Sequence, residues 1–262
     1  MELQIQGKWA YIYTAGHSLD PALPTVVFVH GGEQDHSAWA LHSRYFAYHR
    51  YNVLAPDLPG HGRTPGPAHG SIEALADWIA SLLDAAAIEQ AAVAGHSMGS
   101  LIALELAARQ PSRVTKLALL GAAAPMPVAE PLLTAAQAND PAAFDMINAW
   151  SYSARAQIGG NTVPGMWMLG MNRRLMERQA PGVLYADFKA CNDNVHGIEA
   201  ASRVQCPVLV IVGSRDQMTP PRATHELVTR LRHAQTVVLD GAGHALMAEQ
   251  PDAVLDALSK FL

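Results

Sequence analysis

Six short apolar runs, each closed by a glycine or by Pro-Asp, recur along this chain and leave few folds open to it. They are Val26–Val29, Asn52–Ala55, Ala91–Ala94, Val114–Leu120, Val208–Val212 and Thr236–Leu239. The runs do not alternate apolar with polar, so they predict strands buried on both faces, as in a parallel sheet. Longer helix-like stretches separate them. Ser71–Ala87 opens on a capping serine and carries Ile72, Leu75, Ile79, Leu82 and Leu83 at helical spacing. Leu101–Arg109 is apolar nearly all round and predicts a buried helix, and Pro220–Leu231 and Met247–Leu262 complete the set. Strands alternating with helices predict a doubly wound α/β sheet. Leu3–Ile5 and Trp9–Tyr13 alternate about Gly7-Lys8 and predict an antiparallel hairpin on the sheet edge.

From about Met126 to Ala201 the rhythm stops, with no convincing strand. Helix-like pieces run over Pro127–Ala138 and Pro141–Ser153, followed by a glycine-rich stretch, Ile158–Gly165. Six of the ten methionines fall between Met126 and Met176. Flexible methionines suit either the insert's own core or an adaptable apolar pocket facing the sheet. The expected organisation is a core of residues 1–125 and 202–262 with a helical cap at 126–201. Met146, Trp150 and Met168 are the expected pocket residues of that cap, joined by His30 and Trp39 from the core.

Composition narrows the function. Half the 262 residues are hydrophobic, only 16% are charged, the net charge is −5 and no cationic run occurs. Nucleic acid is therefore an unexpected partner, since phosphate binding needs clustered cations. No apolar run approaches the roughly 20 residues of a membrane span. The opening MELQIQGKWAYIY has no basic start followed by an apolar stretch, so no secretory leader is read there. Cys191 and Cys206 cannot build a disulfide framework and are expected as free thiols in a reducing compartment, hence the cytoplasm. Neither CxxC nor HExxH spacing occurs, so no metal is expected, and a nucleotide-binding domain is not read, since GxGxxG and GxxxxGK[ST] follow no strand.

Gly95-His96-Ser97-Met98-Gly99 matches G-x-S-x-G between an apolar strand and an apolar helix. That context raises Ser97 on a sharp turn as a candidate nucleophile. A serine hydroxyl needs a base, and the base needs an orienting acid. His244 follows the last strand in a glycine-flanked turn and is the expected base. His96 adjoins the serine but is expected to point the other way. His17, His36, His42, His49, His69, His196, His225 and His233 are expected to lack a paired acid. Asp216, just past the strand at Val208–Val212, is the expected acid, whereas Asp240 is expected to tighten its turn and Asp57 to fix its loop. Oxyanion donors are expected from the backbone of Met98 and of Gly32, where a glycine lets the main chain approach substrate closely.

These motifs, with Val-Phe-Val-His30-Gly31-Gly32, Trp39, Asp57-Leu-Pro-Gly60-His61-Gly62-Arg63, Gly213-Ser214-Arg215-Asp216 and Gly243-His244, make the chain resemble the α/β-hydrolase superfamily, of the capped serine-hydrolase type. The resemblance implies a mostly parallel eight-stranded sheet with flanking helices, an inserted helical cap between strands six and seven, and cofactor-free hydrolysis through an acyl-enzyme. Ser97 differs from the aspartate of haloalkane dehalogenases. Ala245 stands where carbon–carbon bond hydrolases of this fold usually carry tryptophan. The expected activity is cleavage of a carboxylic ester or lactone of a small to medium apolar substrate. Carbon–carbon or amide hydrolysis on the same triad is the alternative, and a ligand-binding protein of the same fold without turnover is the alternative of another class. Arg155, Arg173, Arg174 and Arg178 in the cap are possible anchors for an acidic substrate.

Overall fold

A computed structural model describes residues 1–160 and 165–262; part of the glycine-rich stretch therefore lies outside the described residues. The strands are β1 (Glu2–Ile5), β2 (Lys8–Tyr13), β3 (Thr25–Val29), β4 (Asn52–Pro56), β5 (Ala91–His96), β6 (Val114–Leu120), β7 (Val208–Gly213) and β8 (Ala234–Leu239). The helices are α1 (Ala40–Tyr48), α2 (Ile72–Ala85), α3 (Met98–Arg109), α4 (Glu130–Gln137), α5 (Ala142–Ser151), α6 (Ala154–Gln157), α7 (Met168–Glu177), α8 (Val183–Asp193), α9 (Gly197–Arg203), α10 (Pro221–Arg230), α11 (Leu246–Glu249) and α12 (Pro251–Phe261).

The sheet runs β1-β2-β4-β3-β5-β6-β7-β8. β1 and β2 pair antiparallel as the edge hairpin, β2 is antiparallel to β4, and every other pair is parallel. Each side of the sheet carries its own core. Val27 and Val29 face α2 and α3, while Val26 and Phe28 face Trp39, Phe46 of α1 and Val254 and Leu258 of α12. Each such fully buried aliphatic or aromatic side chain contributes roughly 1.5–3 kcal/mol. Unlike the other strands of the parallel part, β8 leaves Gln235, Thr236 and Val238 exposed, because it is the far edge of the sheet and has a neighbour on one side only.

Strand order reverses between β3 and β5, and a crevice forms there beyond their carboxyl ends. The loops after β3, β5, β7 and β8 all rise on that rim. Between β6 and β7 the chain forms α4 to α9. Leu132, Ala136, Ala143, Ile147, Met176 and Leu184 give α4, α5, α7 and α8 a small core of their own. α9 instead packs on α3 and α10, in the layer that flanks the sheet.

Candidate active site

Ser97 caps α3 with φ 53° and ψ −120°, in the left-handed half of backbone space. Few side chains sit there without cost, and such strain collects at functional turns. The flanking glycines make the turn possible. A Cβ on Gly95 would stand 2.1 Å from the Gly99 carbonyl oxygen, and one on Gly99 would stand 2.3 Å from that of Val29. The Ser97 N–H donates to Leu120 O at 2.9 Å, and Ser100 Oγ donates to Gly95 O at 2.7 Å, which ties the elbow to β5 and β6.

His244 and Asp216 meet over 28 residues of chain. His244 Nδ1 lies 2.8 Å from Asp216 Oδ2, both side chains buried. The carboxylate accepts from Nδ1–H, so Nε2 carries the free lone pair. Asp216 is itself held: Oδ1 accepts from the N–H groups of Met218 and Thr219, each at 2.8 Å, and Oδ2 accepts from Thr219 Oγ1 at 2.7 Å. Burial alone would push this carboxyl up, but the charge and hydrogen bond of His244, with the Thr219 bonds, hold it below the usual carboxylate range. Ser97 and His244 line one cavity. No hydrogen bond joins them among the described residues; such bonds commonly tighten only around substrate.

The N–H groups of Gly32 and Met98 have no acceptor among the described residues. Met98 opens α3, so its N–H is one of the four orphan donors of a helix start. Gly32 is aimed by its neighbours. His30 Nε2 accepts from Leu58 N at 3.1 Å, so the proton sits on Nδ1, which donates to Gly31 O at 2.8 Å. In a trans peptide the N–H of Gly32 then points away from that carbonyl. Burial lowers the His30 pKa to about 4 and keeps the ring neutral.

Two cavities open from Ser97. One, of about 40 Å³, is lined by His244, Ala245, Gln34, Asn172 and Ile147. The other, of about 130 Å³, is lined by Met126, Val128, Leu132, Trp150 and Cys191. Phe188 and Met218 border both. Of the expected pocket residues, Trp150 lines a Ser97 cavity. His30 lies beneath the Gly31–Gly32 peptide rather than in a cavity, and Trp39 is fully buried 4.9 Å from the Phe28 ring. Met146 packs with α4 and α8 residues, and Met168 packs on Tyr152 and Ala156. None of Arg155, Arg173, Arg174 and Arg178 reaches either cavity. Arg173 pairs with Asp145 and Glu177, Arg174 with Glu177, and Arg178 with Asp35.

Three histidines depart from expectation: His96, His36 and His196, whose Nδ1 lies 3.7 Å from Glu199 Oε2 on the surface. His96 does not turn away from the base: its Nε2 donates to His244 O at 2.9 Å, and the ring centroids are 4.9 Å apart. Burial, then the neighbouring His244, lowers its pKa to about 3, so it stays neutral beside the base. His36 does have a paired acid, Asp57 Oδ1 at 2.7 Å. Asp57 also accepts from the N–H groups of His36 and Arg63, which fixes its loop. Asp35, His36 and Asp57 bring three possible ligand atoms within 4.8 Å, but Arg178 and Ser37 already engage Asp35.

Sequence reasoning missed several residues here. Thr219 lies three positions past Asp216, in a turn with a weak local signal. Glu249 of α11 accepts from Gly243 N at 2.9 Å and from Ser153 Oγ at 2.5 Å, so it laces the His244 loop to the end of α5. Gln34, Asn172 and Phe188 had no signal, since only the fold brings them to Ser97.

The family model described as the alpha/beta hydrolase family matches residues 26–257. A pimeloyl-[acyl-carrier protein] methyl ester esterase of Neisseria meningitidis is 31% identical over 254 residues, 90% of this chain and 92% of that protein. An (E)-2-((N-methylformamido)methylene)succinate hydrolase of Acinetobacter baylyi is 24% identical, over 90% of this chain and 89% of that protein. An enol-lactonase from Burkholderia xenovorans superposes with a TM-score of 0.88 at 24% identity, over 100% of this chain and 99% of that one, a likeness of fold.

Proposed function

The chain belongs to the alpha/beta hydrolase family, and from that premise we propose that it is a serine hydrolase cleaving carboxylic esters or lactones through an acyl-enzyme. The observation that carries this reading is the cavity shared by Ser97 and His244, whose Nδ1 is already committed to Asp216. Ser97 Oγ attacks the carbonyl carbon and His244 Nε2 takes its proton. The N–H groups of Gly32 and Met98 receive the developing oxyanion. His244 returns the proton to the leaving alcohol. Water then enters by the same route and frees the acid.

The side of each substrate half follows from proton transfer. His244 must reach the leaving oxygen, so the alcohol belongs in the 40 Å³ cavity that His244 lines, and the acyl chain in the 130 Å³ cavity beside Trp150 and Leu132. Among the described residues, neither cavity has an Arg, Lys, Asp or Glu in its wall, which supports an uncharged substrate of small to medium size. α4 to α8, the greater part of the 126–201 insert, serve as the cap over this site. The relative that acts on a methyl ester fits a short alcohol beside a longer acyl part. Two unpaired cysteines suit a reducing compartment such as the cytoplasm.

The test is a panel of chromogenic esters and lactones, run on wild type and Ser97→Ala in parallel, with fluorophosphonate labelling. Repeated turnover that Ser97→Ala lowers by roughly 10⁴-fold or more is expected, with label on Ser97. Labelling elsewhere, or a mutant as active as wild type, would sink the assignment. Binding without turnover would favour a ligand-binding protein.

A further inference from the structure

Beside the oxyanion loop, and outside the Ser97–His244–Asp216 set, lies a buried group of charges that the reaction itself does not use. Asp187, on α8 of the insert, reaches down so that its Oδ2 accepts from Glu33 N at 2.8 Å. The same oxygen lies 2.8 Å from His61 Nε2, and the two side chains are each about 1% exposed. His61 Nδ1 in turn lies 3.1 Å from Pro59 O. A carbonyl oxygen can only accept, so Nδ1 carries a proton, and Nε2 faces a carboxylate. Both ring nitrogens therefore donate, and the pair is an imidazolium and a carboxylate. In keeping with this, the Asp187 charge and hydrogen bond raise the His61 pKa despite its burial, which alone would lower it.

A buried ion pair contributes little to stability in itself, because desolvation offsets the attraction. Its position suggests another use. Gly32 sits directly on Asp187: a Cβ there would lie 3.3 Å from Asp187 Cβ and 3.5 Å from Oδ2. The peptide before Gly32 is pinned by His30, and the peptide after it by Asp187. With both flanking peptides fixed, the Gly32 N–H has little freedom to turn.

We propose that Asp187, oriented by His61, is a positioning residue that holds the Gly32 N–H on the oxyanion. The proposal rests on the serine-hydrolase reading above. It makes one oxyanion donor depend on a residue of the helical insert, across 154 positions of sequence. Misplacement of about 1 Å can cost on the order of 10²-fold in rate, and full loss of an oxyanion donor roughly 10²–10³-fold.

The experiment compares wild type with Asp187→Ala, Asp187→Asn and His61→Gln on one well-turned-over ester. Asp187→Ala should lower kcat about 10–100-fold with KM within about twofold, and should weaken a trifluoromethyl ketone inhibitor by the same factor. Asp187→Asn keeps an acceptor for Glu33 N–H but loses the ion pair, so a smaller loss of the same kind is expected. His61→Gln should resemble it. The Glu33 amide resonance in a ¹H–¹⁵N spectrum should move upfield in Asp187→Ala while amides of β6 and β7 stay in place. Should Asp187→Ala fail to fold, the Asn and Gln variants carry the same kcat and inhibitor readouts. An active wild type with unchanged kcat in all three variants, or a loss confined to KM, overturns the positioning role alone. A wild type that turns over none of the esters overturns the reading beneath it.

Discussion

Glu33 gives a stability measurement with a worked sign. It follows Gly32 in the loop after β3 at φ 54°, is 3% exposed, and leaves Oε2 without a hydrogen-bond partner among the described residues. Burial, then the charge of Asp187, raises its pKa from 4.5 to about 8, against the opposing pull of His61. Below pH 4.5 both folded and unfolded chains hold the proton and nothing depends on pH. Between pH 4.5 and 8 the unfolded chain has lost it while the folded chain keeps it, so stability falls as pH rises. One proton corresponds to roughly 1.4 kcal/mol per pH unit, and the whole window to at most about 5 kcal/mol. Glu33→Gln has nearly the same shape and cannot titrate. The assay is urea denaturation of both proteins, followed by tryptophan fluorescence, at half-unit steps from pH 5 to 8. Between pH 5.5 and 7.5 the wild-type free energy should fall more steeply than the variant's, by about 1–1.4 kcal/mol per unit. At pH 8 the variant should gain most relative to wild type. Parallel curves across that window would show that Glu33 ionises normally and would refute the reasoning.

Asp216→Asn should keep the fold but present the wrong imidazole tautomer, lowering kcat by roughly 10⁴-fold, whereas Asp240→Asn, whose Oδ1 can still accept the exposed bond from Ser214 Oγ, should stay within about threefold of wild type. Turnover of a single ester by both proteins checks the ranking, and the reverse order would misplace the acid. Trp150→Ala should shift the preferred acyl chain toward longer esters, because Trp150 walls the larger cavity, while Met168→Ala, packed on Tyr152 and Ala156, should lower the melting temperature and leave chain preference alone. A kcat/KM series over acyl lengths together with thermal unfolding separates the two outcomes.

What could be read from the sequence divides by the range of the physics involved. The elbow is local: the glycines at 95 and 99 exist because a Cβ would strike the main chain, and that demand shows as a five-residue pattern. The strands were legible because β3, β4, β5 and β7 are buried along their whole length, as β6 is over Leu117–Leu120, and such strands call for mostly apolar side chains. Asp216 and His244 could be placed because each follows a recognisable strand. Trp39 and Met168 show where composition stops informing, since an apolar side chain filling a core and one lining a cavity look alike in sequence. Asp187 left no trace, because 126 residues separate it from His61, and the Gly60-His61-Gly62 motif marks the histidine without its partner.

Three of the hydrogen bonds between insert and core bear on how interchangeable the parts are. Glu249 binds Ser153 to the loop of His244, the Ala245 N–H donates to Ser151 O, and Asp187 holds the loop of Gly32. On the proposed reading the helical layer does more than cover the pocket, since it also braces two loops of the core. A chimera that grafts another hydrolase's cap between β6 and β7 would replace the pocket and cut all three bonds in the same operation. Such a graft should fold yet turn over slowly on every substrate, and restoring Asp187 and Ser153 in the foreign cap should recover rate without altering preference. Exchanging the helical layer by engineering then means exchanging the loops it braces along with it.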